Sequence, residues 1–267
     1  MSLLAEHPPA YGAAGKTCPV TGKSHEHEYQ PPREGDIRSV CPAINAMANH
    51  GYIPRDGKNI SPYMMCSGLM ACYGLSSPLA VFITIGGWLL IKCYFGQRIN
   101  LFELGLHNGV EHDASVVHDN CPPGQKDAPI AIRPELVADF AAHVVSRARE
   151  DSGSAAARVQ ENDVLVTEHD IAQTRIRREH LSKPLSAMHA EIARGEMAII
   201  LGVWHHRVGG SEGAPLPWLR TWLAEERLPP GWKPDHVQTL RNVVKRSSAM
   251  RAEMKRIRKE EAAAKLP

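Results

Sequence analysis

The sequence predicts an all-α protein: a single mostly helical domain over residues 36–236, an irregular arm at 1–35 and a basic helix or tail at 237–267. Three observations carry that reading. Apolar residues recur at three- and four-residue spacings through most of the chain after residue 35. Alternating strand patterns are few, and no internal repeat is found. Clusters of Pro, Gly, Asn and Asp punctuate the helical stretches.

The elements follow in order. Residues 1–35 hold many prolines and glycines and a polar SHEHEYQPPREGD run, which reads as an arm or wrapped segment. Ile44, Met47 and Ala48 share one face of a short helix that Gly51 stops. YIPRDGKN is turn chemistry. A helix follows Ser61 through MMCSGLMACYGL. Pro134 to Glu150 reads as a helix with Leu136, Phe140, Val144 and Ala148 on one face, and the small residues from Ser152 to Arg158 read as a loop. Asp170–Arg178, Ser186–Val203 and Trp218–Glu226 are further helices, the last ended by Pro229-Pro230-Gly231. Val237–Lys265 is a polar, basic helix.

Composition removes several function classes. A formal charge of +2, from 31 basic and 29 acidic residues, points to no polyanionic partner, and aromatics at 6% argue against a stacking surface for nucleic acid. The basic run after Arg241 is diluted by Glu253, Glu260 and Glu261 and reads as a solvated helix face. The start, MSLLAEHPPAYGAAG, lacks the pattern of a secretory signal, so an intracellular protein with its six cysteines as thiols is expected. From Met64 to Ile91 no residue is charged, which is long enough to test as a membrane span. Pro78, Ser76, Ser77 and Gly86-Gly87 interrupt it, so a buried helix or helix pair is favoured over membrane association. Cys18 with His25 and His27, and the pair His205-His206, are weak metal-site signals. Met64, Met65, Met70 and Phe82 are candidates for lining a pocket, with core packing the simpler role.

Two short stretches carry chemistry. In RSVCPAINAMANHG, Pro42 suits a first helical position, because its missing N–H would be unpaired there anyway. Cys41 then becomes the N-cap, close to unpaired backbone N–H groups and the positive end of the helix dipole, where a thiol pKa falls. Such a thiolate could be a nucleophile, a redox thiol or a metal ligand, axial ligation of haem iron included. In Glu111-His112-Asp113-Ala114-Ser115, a helical backbone would put Glu111 and Ser115 on one face. With a backbone carbonyl they form a hard-oxygen set for a Mg²⁺-type ion.

The stretch from Arg38 to Asn59, RSVCPAINAMANHGYIPRDGKN, closely resembles the haem-thiolate peroxidase family of chloroperoxidases and unspecific peroxygenases. Glu-His-Asp-x-Ser resembles the hallmark of its chloroperoxidase-like branch. Asp170-x-Ala172-x-x-Arg175, Gly195-Glu196-x-Ala198, Glu226-Arg227-Leu228-Pro229 and Gly231-Trp232 follow in the family's order, so the resemblance covers about residues 38–232. It implies a chloroperoxidase-like helical fold around buried haem b, with Cys41 as the axial iron ligand. It implies that Glu111, the backbone carbonyl of His112 and Ser115 bind a divalent cation, Mg²⁺, at a haem propionate. The catalytic acid–base maps onto Glu196, with Glu191 the weaker choice. His112 orients it, and Asp113 and Asn120 support the site. The implied activity uses H₂O₂ to oxygenate, oxidise or halogenate small organic substrates, reached between the helices around Met64–Ile91 and Ser186–Val203. Departures are Val40 in place of a proline, His118 and Asp119-Asn120; His189 stands where the secreted branch has Arg, which fits the Glu-His-Asp branch better. Val40 and Asn120 motivate an alternative, a haem-binding accessory protein of the same fold without peroxide turnover.

Overall fold

A computed structural model describes residues 27–94, 96–152, 159–208 and 210–264. Eight α-helices dominate these residues: α1 (Pro42–Asn49), α2 (Pro62–Tyr73), α3 (Ser77–Leu90), α4 (Pro134–Asp151), α5 (Glu168–His180), α6 (Ala187–Val203), α7 (Leu216–Glu225) and α8 (Leu240–Ala264). Proline stands in the first turn of five of them, α1 to α4 and α7, where its fixed φ suits the helix. The buried face of α4 is Val137, Phe140, Ala141 and Val144, one residue on from the face read in the sequence at Leu136.

A small antiparallel sheet was not anticipated. Its strands β1 (Leu165–Val166), β2 (His206–Val208) and β3 (Ser211–Pro215) lie in the order β1-β3-β2. The strands are too short, and Ser-Glu-Gly-Ala-Pro too poor in strand formers, for a period of two to show. Val166 and Ala214 pair across it and join the core beside Leu216 and Leu219.

The uncharged 64–91 stretch is broken between α2 and α3, where Gly74 takes a left-handed φ of 64°. A Cβ there would meet the His236 carbonyl at 2.6 Å. No helix among the described residues is long and apolar enough to cross a membrane. Cys18, His25 and the arm up to residue 26 lie outside the described residues, as do 153–158 of the small-residue loop. His27 stacks on Tyr52 at 3.7 Å between ring centroids.

The basic tail helix α8 packs against α5 and α6. Glu191 of α6 accepts from Ser247 Oγ at 2.8 Å and from Arg251, and Glu253 of α8 accepts from His169 Nδ1 at 2.6 Å. Hydrogen bonds from Arg194, with Ser247 and Arg251 behind it, hold the Glu191 carboxyl down to about 2, and Arg256 with His169 does the same for Glu253. A carboxylate pKa depressed by folding contributes stability above its unfolded value and loses it as pH falls through the folded one. The thermal midpoint should therefore drop as pH falls from about 4.3 toward 2. Circular dichroism melts should show a shallower acid limb for the Glu191→Gln/Glu253→Gln double variant than for wild type.

Candidate active site

Cys41 caps α1 with φ −95° and ψ 108°, and Pro42 is the first helical residue. Its carbonyl accepts from Ile44 and Asn45 N–H at 3.2 and 3.1 Å. The motif residues around it form a clamp. The Asn45 amide exchanges two hydrogen bonds with the Ser39 backbone, at 2.7 and 2.8 Å, and donates to Glu226 Oε1. Arg38 donates twice to Asn49 Oδ1, at 3.0 and 2.8 Å, and Asn49 donates to the Glu226 carbonyl at 3.2 Å. His50 Nε2 accepts from Leu228 N–H at 3.1 Å, and its Nδ1 lies 2.8 Å from the His27 carbonyl, so both ring nitrogens are used. Glu226 ends α7 in a left-handed conformation that aims its carboxyl at Asn45. Two stretches far apart in the chain are thus one hydrogen-bonded unit behind the cysteine turn. Gly57 is required below it: at φ 68° a Cβ would lie 2.0 Å from the Ile37 carbonyl.

The Glu111–Ser115 stretch is not helical, contrary to the expectation that Glu111 and Ser115 share a helix face. Ala114 sits at φ 68°, and the loop is built by polar staples instead. Asp113 Oδ1 accepts from Cys121 N–H at 3.1 Å. Asn120 Oδ1 accepts from Ala114 N–H at 2.9 Å, so Asn120 fastens the loop and makes no bond to His112. Two arginines of α5 hold the far side: Arg175 donates to the Ala114 carbonyl at 2.7 Å and Arg178 to the Ser115 carbonyl at 2.6 Å. Ser115 Oγ accepts from Val117 and His118 N–H. Glu111 Oε2 is bonded to His107 Nδ1 at 2.8 Å, and burial pushes its carboxyl up against that pull. Arg175→Met would strand the buried Ala114 carbonyl. It should cost about 1–3 kcal/mol in denaturant unfolding, while Arg175→Lys should recover part of the loss.

On α6, Ser186 caps the helix and fixes His189, whose Nδ1 lies 2.9 Å from Ser186 Oγ and Nε2 3.2 Å from the Gly109 carbonyl. Glu191 turns to α8. Glu196, on the same helix, faces a cavity of about 250 Å³. His112 hydrogen-bonds the Asp113 carbonyl through Nδ1 at 2.8 Å and holds Nε2 3.5 Å from Glu196 Oε2. Burial opposes charge on His112, but the Glu196 carboxylate outweighs it and the imidazole pKa is raised. The Glu196 side chain stays 43% exposed, toward the cavity.

Cys41, Glu111, His112, Ser115, His118, Arg175 and Glu196 all line this cavity, and Leu69, Ile83, Met197, Val203, Trp204 and Trp222 supply much of its apolar wall. Of the Met64, Met65, Met70 and Phe82 candidates none lines it; Leu69 and Ile83 take their place. Buried polar atoms without a hydrogen bond concentrate here: His112 Nε2, His118 Nε2 and Arg175 Nε. Burial alone carries a cost for such groups; His112 Nε2 has the Glu196 carboxylate opposite it, and Arg175 Nε at the wall of an apolar cavity fits a flat apolar group bearing an anionic oxygen. Among the described residues no group of three or more His, Cys, Asp and Glu is close enough to hold a metal.

The thiol itself departs from the sequence expectation. Burial, with Glu196 nearby, pushes Cys41 up to about 11, and the N–H groups of Ala43 and Ile44 only moderate this. The helix terminus alone does not ionise Cys41; a metal cation on the sulfur would.

The sequence profile described as "Peroxidase, family 2" matches residues 27–237, which contain the cysteine turn, the Glu-His-Asp loop and Glu196. The chain belongs to this family. Among curated members of similar sequence are a dothistromin biosynthesis peroxidase of Dothistroma septosporum, 38% identical over 127 residues, an aromatic peroxygenase of Coprinellus radians, 37% over 112, and a chloroperoxidase of Leptoxyphium fumago, 32% over 92. The matched segments cover 41%, 36% and 33% of this chain and 30%, 42% and 25% of those proteins. The chain therefore matches less than half the length of each of these peroxidase family 2 relatives.

The sequence singled out His118 only as a departure and Arg175 only as a letter of a pattern. Tyr73, Trp204 and Trp222 gave no signal, because nothing local relates Tyr73 to the indole N–H of Trp222 that it accepts at 3.1 Å across 149 positions.

Proposed function

We propose that this peroxidase family 2 protein is a haem-thiolate peroxygenase that uses H₂O₂ to oxidise small, largely apolar organic substrates. One observation carries the reading: Cys41 and Glu196 line the same apolar cavity, with His112 set against the Glu196 carboxylate. Haem b, when bound, supplies the iron at which the peroxide O–O bond breaks. Cys41 Sγ would hold that iron. Arg175 Nε, buried and without a hydrogen bond, would donate to a haem carboxylate. Glu196 takes a proton from H₂O₂ at its free carboxylate oxygen and returns it to the departing oxygen, which leaves as water. His112, fixed through Nδ1 by Asp113, holds that carboxylate in place.

Glu111 Oε, the His112 carbonyl and Ser115 Oγ are the proposed Mg²⁺ ligands. Glu111 Oε2 accepts from His107 Nδ1, which leaves Oε1 as the oxygen that would meet the ion. The apolar wall favours an uncharged organic substrate over a halide. The accessory-protein alternative loses one motive, because Asn120 fastens the Ala114 peptide and does not weaken a bond to His112.

The test is product analysis with oxygen-labelled H₂O₂ and a small arene, using the haem-loaded full chain. Label in the hydroxylated product is expected. Unlabelled coupled products would reassign the protein to one-electron peroxidation, and peroxide left unconsumed would revive the accessory role.

A further inference from the structure

Four of the five tryptophans of the chain meet in one cluster. Trp204 is its centre. It caps α6, is fully buried and lines the cavity. Its ring lies 4.3 Å from Trp232, 5.7 Å from Trp222, 6.3 Å from Trp218 and 6.4 Å from Tyr73, centroid to centroid. Trp218 and Trp232 are 6.0 Å apart, do not line the cavity and are partly buried, each keeping some surface to solvent. A run of touching indoles therefore leads from the cavity wall to the surface.

Edge-to-face packing explains part of this. Such pairs stabilise a core by about 0.5–1.5 kcal/mol beyond their buried area. The Trp222 N–H donates to Tyr73 and the Trp232 N–H to the Cys72 carbonyl at 2.8 Å, bonds that phenylalanine could not make. No such bond to Trp204 or Trp218 is found among the described residues, so hydrogen bonding does not select indole at those two positions. Indole is among the most easily oxidised side chains, and ring contact gives a strong path for a single electron. Tyr73 is a poor carrier: its hydroxyl donates to the Ala43 carbonyl at 2.7 Å, which is no base for the proton an oxidised phenol releases.

We propose that Trp204, Trp218 and Trp232 form an electron relay by which phenolic donors too large for the cavity are oxidised at the protein surface. The proposal rests on the peroxide-using reading above, which supplies the oxidant. A bound phenol at Trp218 or Trp232 gives up one electron and releases its proton to solvent, leaving a phenoxyl radical. The electron passes through Trp204 to the cavity. Two phenols supply two electrons, and with two protons H₂O₂ becomes two waters; the indoles end unchanged.

The test uses the haem-loaded full chain and two donors, a small phenol and a phenol-bearing soluble polymer. Trp218→Phe/Trp232→Phe should lower the polymer rate by about tenfold or more, leave the small-phenol rate and haem content unchanged, and be partly rescued by Trp218→Tyr/Trp232→Tyr. A structural loss, such as that of the Trp232–Cys72 bond, would lower small-phenol turnover and haem content as well. A second readout needs no donor: peptide mapping after H₂O₂ alone should find oxidised Trp218 and Trp232 in wild type, and less in Trp204→Phe. An unchanged polymer rate in the double Phe variant, with small-phenol turnover intact, overturns the relay alone. Wild type that oxidises neither donor overturns the peroxidase reading and the relay with it.

Discussion

Cys41→Ala abolishes the red-shifted Soret band of the reduced carbon monoxide complex: that is the expected result for haem-loaded protein, and the largest single effect foreseen. The wild type should show the band because only a thiolate trans to carbon monoxide produces it. The variant should still fold. The Cys41 side chain makes no capping hydrogen bond, and the turn is held by Asn45, Ser39 and the main chain. The change in stability should therefore stay within about 1 kcal/mol, and a denaturant titration beside the spectra would show it. The same variant addresses the raised pKa of the free thiol. In the haem-free wild type, thiol alkylation should be slow at neutral pH, because burial and Glu196 keep Cys41 protonated. A carbon monoxide spectrum that ignores Cys41 would remove the axial assignment.

Glu196→Gln should lower peroxide-dependent turnover by about 10²–10⁴-fold and leave haem content and the carbon monoxide spectrum as in wild type. The amide matches the carboxylate in shape and can still bond His112, but it cannot accept the proton of H₂O₂. Stability should change little, since the side chain is 43% exposed and its only ion-pair partner among the described residues is 3.5 Å away. Stopped-flow mixing with H₂O₂ separates the step concerned from later ones. Turnover undiminished in Glu196→Gln would move the acid–base role elsewhere in the cavity, with His112 the next group to test.

How much of this was legible in the sequence depends on how local the cause is. Proline at a first helical turn is a local cause, and α1 was read from Pro42 to its stop at Gly51. The α8 helix and the break in the uncharged stretch are also set by neighbouring residues. The three-stranded sheet was not legible, because two to five residues carry too little pattern and its pairs, such as Leu165 with Pro215, are distant in sequence. The Glu111–Ser115 loop failed for a different reason. A spacing of four suggests a helix only where the backbone is free to form one, and Arg175, Arg178 and Asn120 hold this backbone in another course. The thiol pKa shows the same limit: the sequence reveals the helix terminus, while the burial that outweighs it exists only in three dimensions. Motif residues were found, but their grouping into one clamp was not, since Asn45 and Glu226 have no local relation.

That clamp bears on how the molecule is made. Asn45 and Glu226 are 181 positions apart, and His50 and Leu228 are 178 apart. Contacts of such long range are slow to form, and a chain emerging from the ribosome presents its first segment well before its last. Cys41 is thus exposed early, on a turn that lacks its distal fastenings. The Cys41 turn reaches its final geometry only after residue 228 has been synthesised and has docked. With Cys41 as the proposed iron ligand, haem loading would be among the last events of maturation, and a nascent chain stalled before α7 is complete would carry that thiol on an unfastened turn.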